Sequence, residues 1–100
     1  MLPSTCPALR RDMLPQPVDL TLPAGLSRQE IMRLATQHAQ TLHPEVILLA
    51  WFDREANDFS PPITCCRDDL PGWLAYALSR GADLIISINH EAYVCCFKKL

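Results

Sequence analysis

Glycine is scarce in this chain, with three in 100 residues. The shortage argues against a loop that cradles phosphate with bare backbone, and no G-x-x-x-x-G-K-[ST] or G-x-G-x-x-G pattern occurs. H-E-x-x-H and G-x-S-x-G are missing too, which removes the metalloprotease helix and the hydrolase elbow. Aromatic residues number only seven, so the core must be mainly aliphatic. Neither sign of charge dominates: nine Lys and Arg face eleven Asp and Glu, a net charge of −2. That balance gives no electrostatic footprint for nucleic acid or an anionic membrane. The longest apolar run, Val46 to Phe52, is far too short to span a bilayer. The first residues hold no apolar stretch of about 7–15 residues, the mark of an export signal. The expected location is therefore the cytoplasm.

What is present is a globular composition. About half of the chain is hydrophobic (49%) and a fifth is charged (20%), and 100 residues leave room for a single core. Cysteine is plentiful for an intracellular protein: five, an odd count, four of them in the pairs Cys65-Cys66 and Cys95-Cys96. A disulfide framework goes with an even count and export, so free thiols are expected. Structural zinc sites use knuckles whose spacing lets both thiolates reach one ion. Adjacent cysteines on a strand point to opposite faces, which suits zinc poorly. The pairs read as small buried hydrophobes, with Cys65 and Cys95 the inner members and Cys6 the most reactive. No metal or other cofactor is expected.

Residues 1–17 read as a flexible Pro-rich tail, and 18–100 as one domain. Val18-Asp19-Leu20-Thr21-Leu22 alternates as a short strand or strap. Ser27 and Glu30 form a capping box, and Leu26 with Ile31 makes a hydrophobic staple. Ile31, Leu34, Ala35, His38 and Leu42 then recur at helical spacing until Pro44. Val46 to Phe52 is apolar on both faces and reads as a central strand. A polar turn over Asp53 to Asp58 follows, with Asn57 its left-handed residue. The return strand is expected within Phe59 to Arg67, paired over Ile63 to Arg67 or lying at an edge because of Pro61-Pro62. Asp69 is the expected cap of a second helix, with Pro71 in its first turn and Gly81 just past its end. Asp83 to Asn89 and Ala92 to Lys99 make a hairpin around His90. A two-residue loop there puts Tyr93, Cys95 and Phe97 on the core side with Leu84, Ile86 and Ile88.

No constellation of residues declares a reaction. His38 lies at a core edge, His43 at a helix end and His90 at a turn. No spacing brings Cys66 or Cys96 to any of them as a catalytic pair. Asp68-Asp69 reads as a helix start rather than a cation site. Asp53, Glu55 and Asp58 loosely resemble a calcium loop that lacks its glycine and distal glutamate.

Several segments nevertheless form a pattern: His43-Pro44-Glu45-Val46, Ala50-Trp51-Phe52-Asp53, Asp58-Phe59, Pro71-x-Trp73, Arg80-Gly81-Ala82-Asp83-Leu84, and Ile88-Asn89 before Tyr93-Val94. Over residues 43–100 the chain resembles a small, uncharacterised bacterial α+β domain family of unknown function. The resemblance implies a cytoplasmic bacterial protein and carries no functional residue with it.

The expected architecture is α+β. It has helix-strand-strand repeated twice, a mainly antiparallel sheet of four or five strands, and both helices on one face. Such a sheet leaves an apolar outer face bearing Ile85, Val94 and Cys96. These residues are the expected interaction surface, covered by a second copy in a homodimer or by the N-terminal segment. The function expected is a non-catalytic interaction or self-associating module. The alternative is a thiol-based redox or metal-binding protein using the paired cysteines.

Overall fold

The structure, a computed structural model, describes residues 7–64, 66–67 and 69–100. A short 3-10 turn, Arg11–Met13, precedes β1 (Val18–Leu20), α1 (Arg28–Leu42), β2 (Val46–Asp53), β3 (Asp58–Ser60), α2 (Gly72–Ser79), β4 (Leu84–Ile88) and β5 (Tyr93–Lys99). The fold is α+β with one five-stranded mixed sheet, in the order β1-β4-β5-β2-β3. β1 runs parallel to β4, and every other pair is antiparallel.

Local chemistry fixes α1. Ser27 Oγ accepts the Glu30 N–H at 3.2 Å, and the Glu30 carboxylate accepts the Ser27 N–H at 3.2 Å. The expected capping box is thus in place. The buried stripe of α1 is Ile31, Ala35 and Ala39, packed on Leu84, Ile86, Ile88, Cys95 and Phe97. Leu42 shares that face but is the last residue of the helix, and it is exposed.

The second helix departs from expectation. Trp73, Leu74 and Ala77 of α2 pack on Ala50, Phe52, Ile85, Val94 and Cys96. Side chains alternate along a strand, so these residues line the face opposite to the one under α1. The helices therefore sandwich the sheet instead of sharing a face. Strand β2 serves both layers through a bulge. Leu48 pairs with Phe97 and Ala50 with Cys96, which leaves Leu49 as an extra residue. Alternation is reset there, so Val46 and Trp51 join the α1 layer while Ala50 and Phe52 join the α2 layer.

The segment over residues 7–17 is docked rather than a flexible tail. Leu9 and Leu14 are 5% and 4% exposed and belong to the α2-side core. Arg54 Nη2 donates to the Leu9 carbonyl at 3.1 Å, and Arg11 is bound to both Asp19 and Glu91. Prolines exclude regular ladders but leave a stiff chain that can pack by isolated leucines.

Three local expectations are also corrected. β3 pairs over Asp58–Ser60, before Pro61 and Pro62 rather than after them, because prolines cannot donate to a ladder. The cap residue of α2 is Pro71 with no side-chain bond, and Asp69 sits in the turn before it at φ +61°. The β4–β5 hairpin has the expected facing, with Leu84, Ile86 and Ile88 opposite Phe97, Cys95 and Tyr93. Its loop is four residues long, because Asn89, His90 and Glu91 are all left-handed and end the ladder at Ile88.

Candidate functional site

One end of the sheet carries a cleft of about 530 Å³. Phe52, Arg54, Asn57 and Phe59 from the β2–β3 hairpin form one side, and Pro71, Gly72 and Trp73 at the start of α2 form another. Pro7, Ala8 and Leu9 close it from the N-terminal segment, and Ile63 and Thr64 from the chain after β3. The bulge at Leu49 is what aims Phe52 toward α2. There its ring stacks on Trp73, with centroids 5.2 Å apart and planes 5° apart.

Arg54 is the one charged residue among the described residues lining this cleft. Its guanidinium carbon lies 5.5 Å from the Phe52 ring centroid. Nε donates to the Glu91 carbonyl at 3.0 Å and Nη2 to that of Leu9 at 3.1 Å. Neutral carbonyls fix the group in place and leave its charge uncompensated, and no carboxylate pairs with it among the described residues. The nearby acids are engaged elsewhere: Arg28 binds the buried Asp53 at 3.0 Å and Asp58 at 2.9 Å, and stands 4.7 Å over Trp51. The turn acids thus serve as anchors for α1, not as a calcium loop.

The cleft can bind, but its described lining holds no Cys, His, Asp, Glu or Lys to move a proton or attack a substrate. Its stacked aromatics were legible as core, and core they are: Trp73 from its place in the α2 stripe, and Phe52 from the apolar β2 run. Arg54 gave no signal beyond a charge in a turn.

The sequence-derived interaction surface lies elsewhere. Ile85, Val94 and Cys96 are at most 2% exposed, beneath α2. They are core because the second helix covers the face expected to be bare, which removes that reason for a homodimer. Cys95 and Cys96 are both buried free thiols, so Cys96 is not the outer member of its pair. Burial pushes the Cys95 thiol up to about 12 and raises Cys96 as well, so neither is a thiolate near neutrality. Cys66 is exposed and disulfide-bonded, against the expectation of free thiols throughout, and the inference of a reducing compartment loses its basis there. Cys6, Cys65 and Asp68 lie outside the described residues.

His43 Nε2 is 2.9 Å from the Leu100 carbonyl, His38 is half-buried on α1, and His90 is exposed in the left-handed turn. Among the described residues no three His, Cys, Asp or Glu side chains converge as a metal site, and no helix is long and apolar enough to cross a membrane.

The chain belongs to a family described as a domain of unknown function (DUF5619), whose model matches residues 15–97. It is similar to the crystal structure of a protein from Archeoglobus fulgidus DSM 4304, described as a novel non-family-model protein. The TM-score is 0.70 and the identity 29%, over 83% of this chain and 92% of that one. No curated protein matches the chain.

Proposed function

We propose that this member of a family without assigned activity is a non-catalytic binding module. Its cleft takes a small ligand with a flat apolar body and an anionic group. The observation that carries the reading is that a buried aromatic stack, Phe52 on Trp73, and the half-buried Phe59 line one cleft with Arg54, which no described carboxylate pairs. An apolar pocket with few polar groups selects its ligand by shape, and those groups set its orientation. Arg favours a carboxylate, whose two oxygens match its planar fork of donors. The first turn of α2 reinforces this preference, because Pro71 supplies no side-chain cap and the helix dipole is positive at that end.

Small aromatic carboxylates and their neutral amides, compared by NMR titration, test the proposal. Benzoate should give saturable shifts at Phe52, Phe59 and Trp73 and bind at least about tenfold more tightly than benzamide, a difference of about 1.4 kcal/mol. Equal affinity for the two, or shifts confined to residues outside the cleft, overturns it. The amide comparison probes the charge without substituting Arg54, which also anchors Leu9 and Glu91.

A further inference from the structure

We propose that the free edge of β2, Val46–Ala50, pairs with the same edge of a second copy of this chain in an antiparallel twofold dimer. β2 spans Val46–Asp53, but β3 covers only its last three residues, Trp51–Asp53. Beyond Ser60 come Pro61 and Pro62, which leave the ladder. Among the described residues no backbone or side-chain group bonds to the side of Val46–Ala50 that faces away from β5. A row of N–H and C=O groups without a protein partner, on an uncharged strand, is a ready template for another strand.

The surroundings favour a copy of the same chain. The described large hydrophobic residues that stand exposed are Leu42, Ile47, Leu48 and Leu100. Two are on the open edge itself. Leu42 ends α1 four residues before β2, and Leu100 is tied to the start of β2 by its N–H bond to the Glu45 carbonyl at 2.9 Å. Pairing about Leu48 sets Val46 against the partner's Ala50, and both β3 strands then lie outside the paired stretch. The bends at residues 43–45 carry each chain out of the sheet toward α1 before it meets the other copy's β3. A twofold contact uses one patch twice, so apolar residues meet apolar residues with no further component. Stable interfaces bury roughly 1,000 Å² or more in total. Each copy brings five residues of ladder, Ile47 and Leu48 among them, with Leu42 and Leu100 beside it, and a weak dimer is expected. The contact is independent of the ligand cleft.

Sedimentation of the ligand-free protein from micromolar to millimolar concentration tests this. The wild type should pass from monomer to dimer, and amides within Val46–Ala50 should exchange more slowly at the higher concentration. Ile47→Lys and Leu48→Lys, with unchanged circular dichroism, should each weaken association at least about tenfold. A wild type that stays monomeric throughout overturns the proposal, including in favour of a strand from another protein. So does a dimer in which exchange at Val46–Ala50 does not depend on concentration, a readout that holds even if neither variant folds.

Discussion

Asn89 grips Leu22 with both ends of its carboxamide: Oδ1 accepts the Leu22 N–H at 2.9 Å, and Nδ2 donates to the Leu22 carbonyl at 3.1 Å. A side chain thereby extends the parallel β1–β4 ladder past its last backbone pair, Leu20 with Ile88. The grip steadies a costly turn. Asn89, His90 and Glu91 have φ of +51°, +56° and +63° in succession. Each left-handed non-glycine residue costs roughly 1 kcal/mol, and asparagine bears it best. Bonds from Ser87 and Arg11 to the Glu91 carboxylate, and from Arg54 to its carbonyl, hold the other end.

Replacing that side chain separates the two effects. Asn89→Ala should lower stability by about 2–3 kcal/mol, from two lost hydrogen bonds and a less tolerant left-handed residue. Asn89→Gly should lose less, because glycine removes the backbone cost. Urea denaturation at constant m-value reads both. Equal losses would falsify the contribution from backbone strain.

Glu91 gives the turn a pH dependence. The Ser87 hydroxyl, and then Arg11, hold its carboxyl below the ordinary value of 4.5. A depressed acid stabilises the fold fully above its unfolded pKa, and the contribution fades as pH falls through the lower folded value. Stability should therefore decline below pH 4.5, and Glu91→Gln should flatten that part of the profile. Urea midpoints taken across the acid range check this, and a mutant profile parallel to the wild type would rule it out.

The capping box makes a separate contribution. Ser27→Ala should cost about 1 kcal/mol. In a domain of this size the melting temperature should fall by about 4–8 °C. Calorimetry measures the shift directly, and an unchanged transition means that α1 draws nothing from its cap.

Cys95 and Cys96 should resist alkylation together. Both are buried, and burial keeps both protonated at neutral pH. Timed iodoacetamide labelling read by mass spectrometry should modify neither until denaturant is added. Fast labelling of Cys96 alone would mean that α2 does not cover its face of the sheet.

Much of the local structure was written in the chain. Ser27 and Glu30 announce the start of α1, and Pro44 its end, because caps and breakers act within one turn. Alternation from Leu84 to Ile88 and from Tyr93 to Phe97 fixes the facing of the hairpin, since a one-residue slip would turn every side chain over. Asn57 was legible as the left-handed turn residue and is found at φ +50°. The cleft was not legible, because Phe52, Trp73 and Leu9 come from distant segments that meet only after the layers assemble.

The side of the sheet on which each helix packs was decided by tertiary structure alone. An apolar stripe shows that a helix packs on a sheet, and a strand apolar on both faces accepts one on either side. Strand order resolves the choice. The connection through α1 crosses the sheet from β1 to β2, and the one through α2 crosses back from β3 to β4. The first joins parallel strands, whose right-handed crossover sets the face of α1; β3 and β4 are antiparallel, so no such rule acts on α2, which takes the apolar face left uncovered. With α2 on the second face, Ile85, Val94 and Cys96 become core, Leu9 and Leu14 find a site, and Ile47 and Leu48 stay exposed on the stretch of β2 that β3 does not reach. Residue patterns set which side chains share a face, and the long-range order of strands determined what covers it.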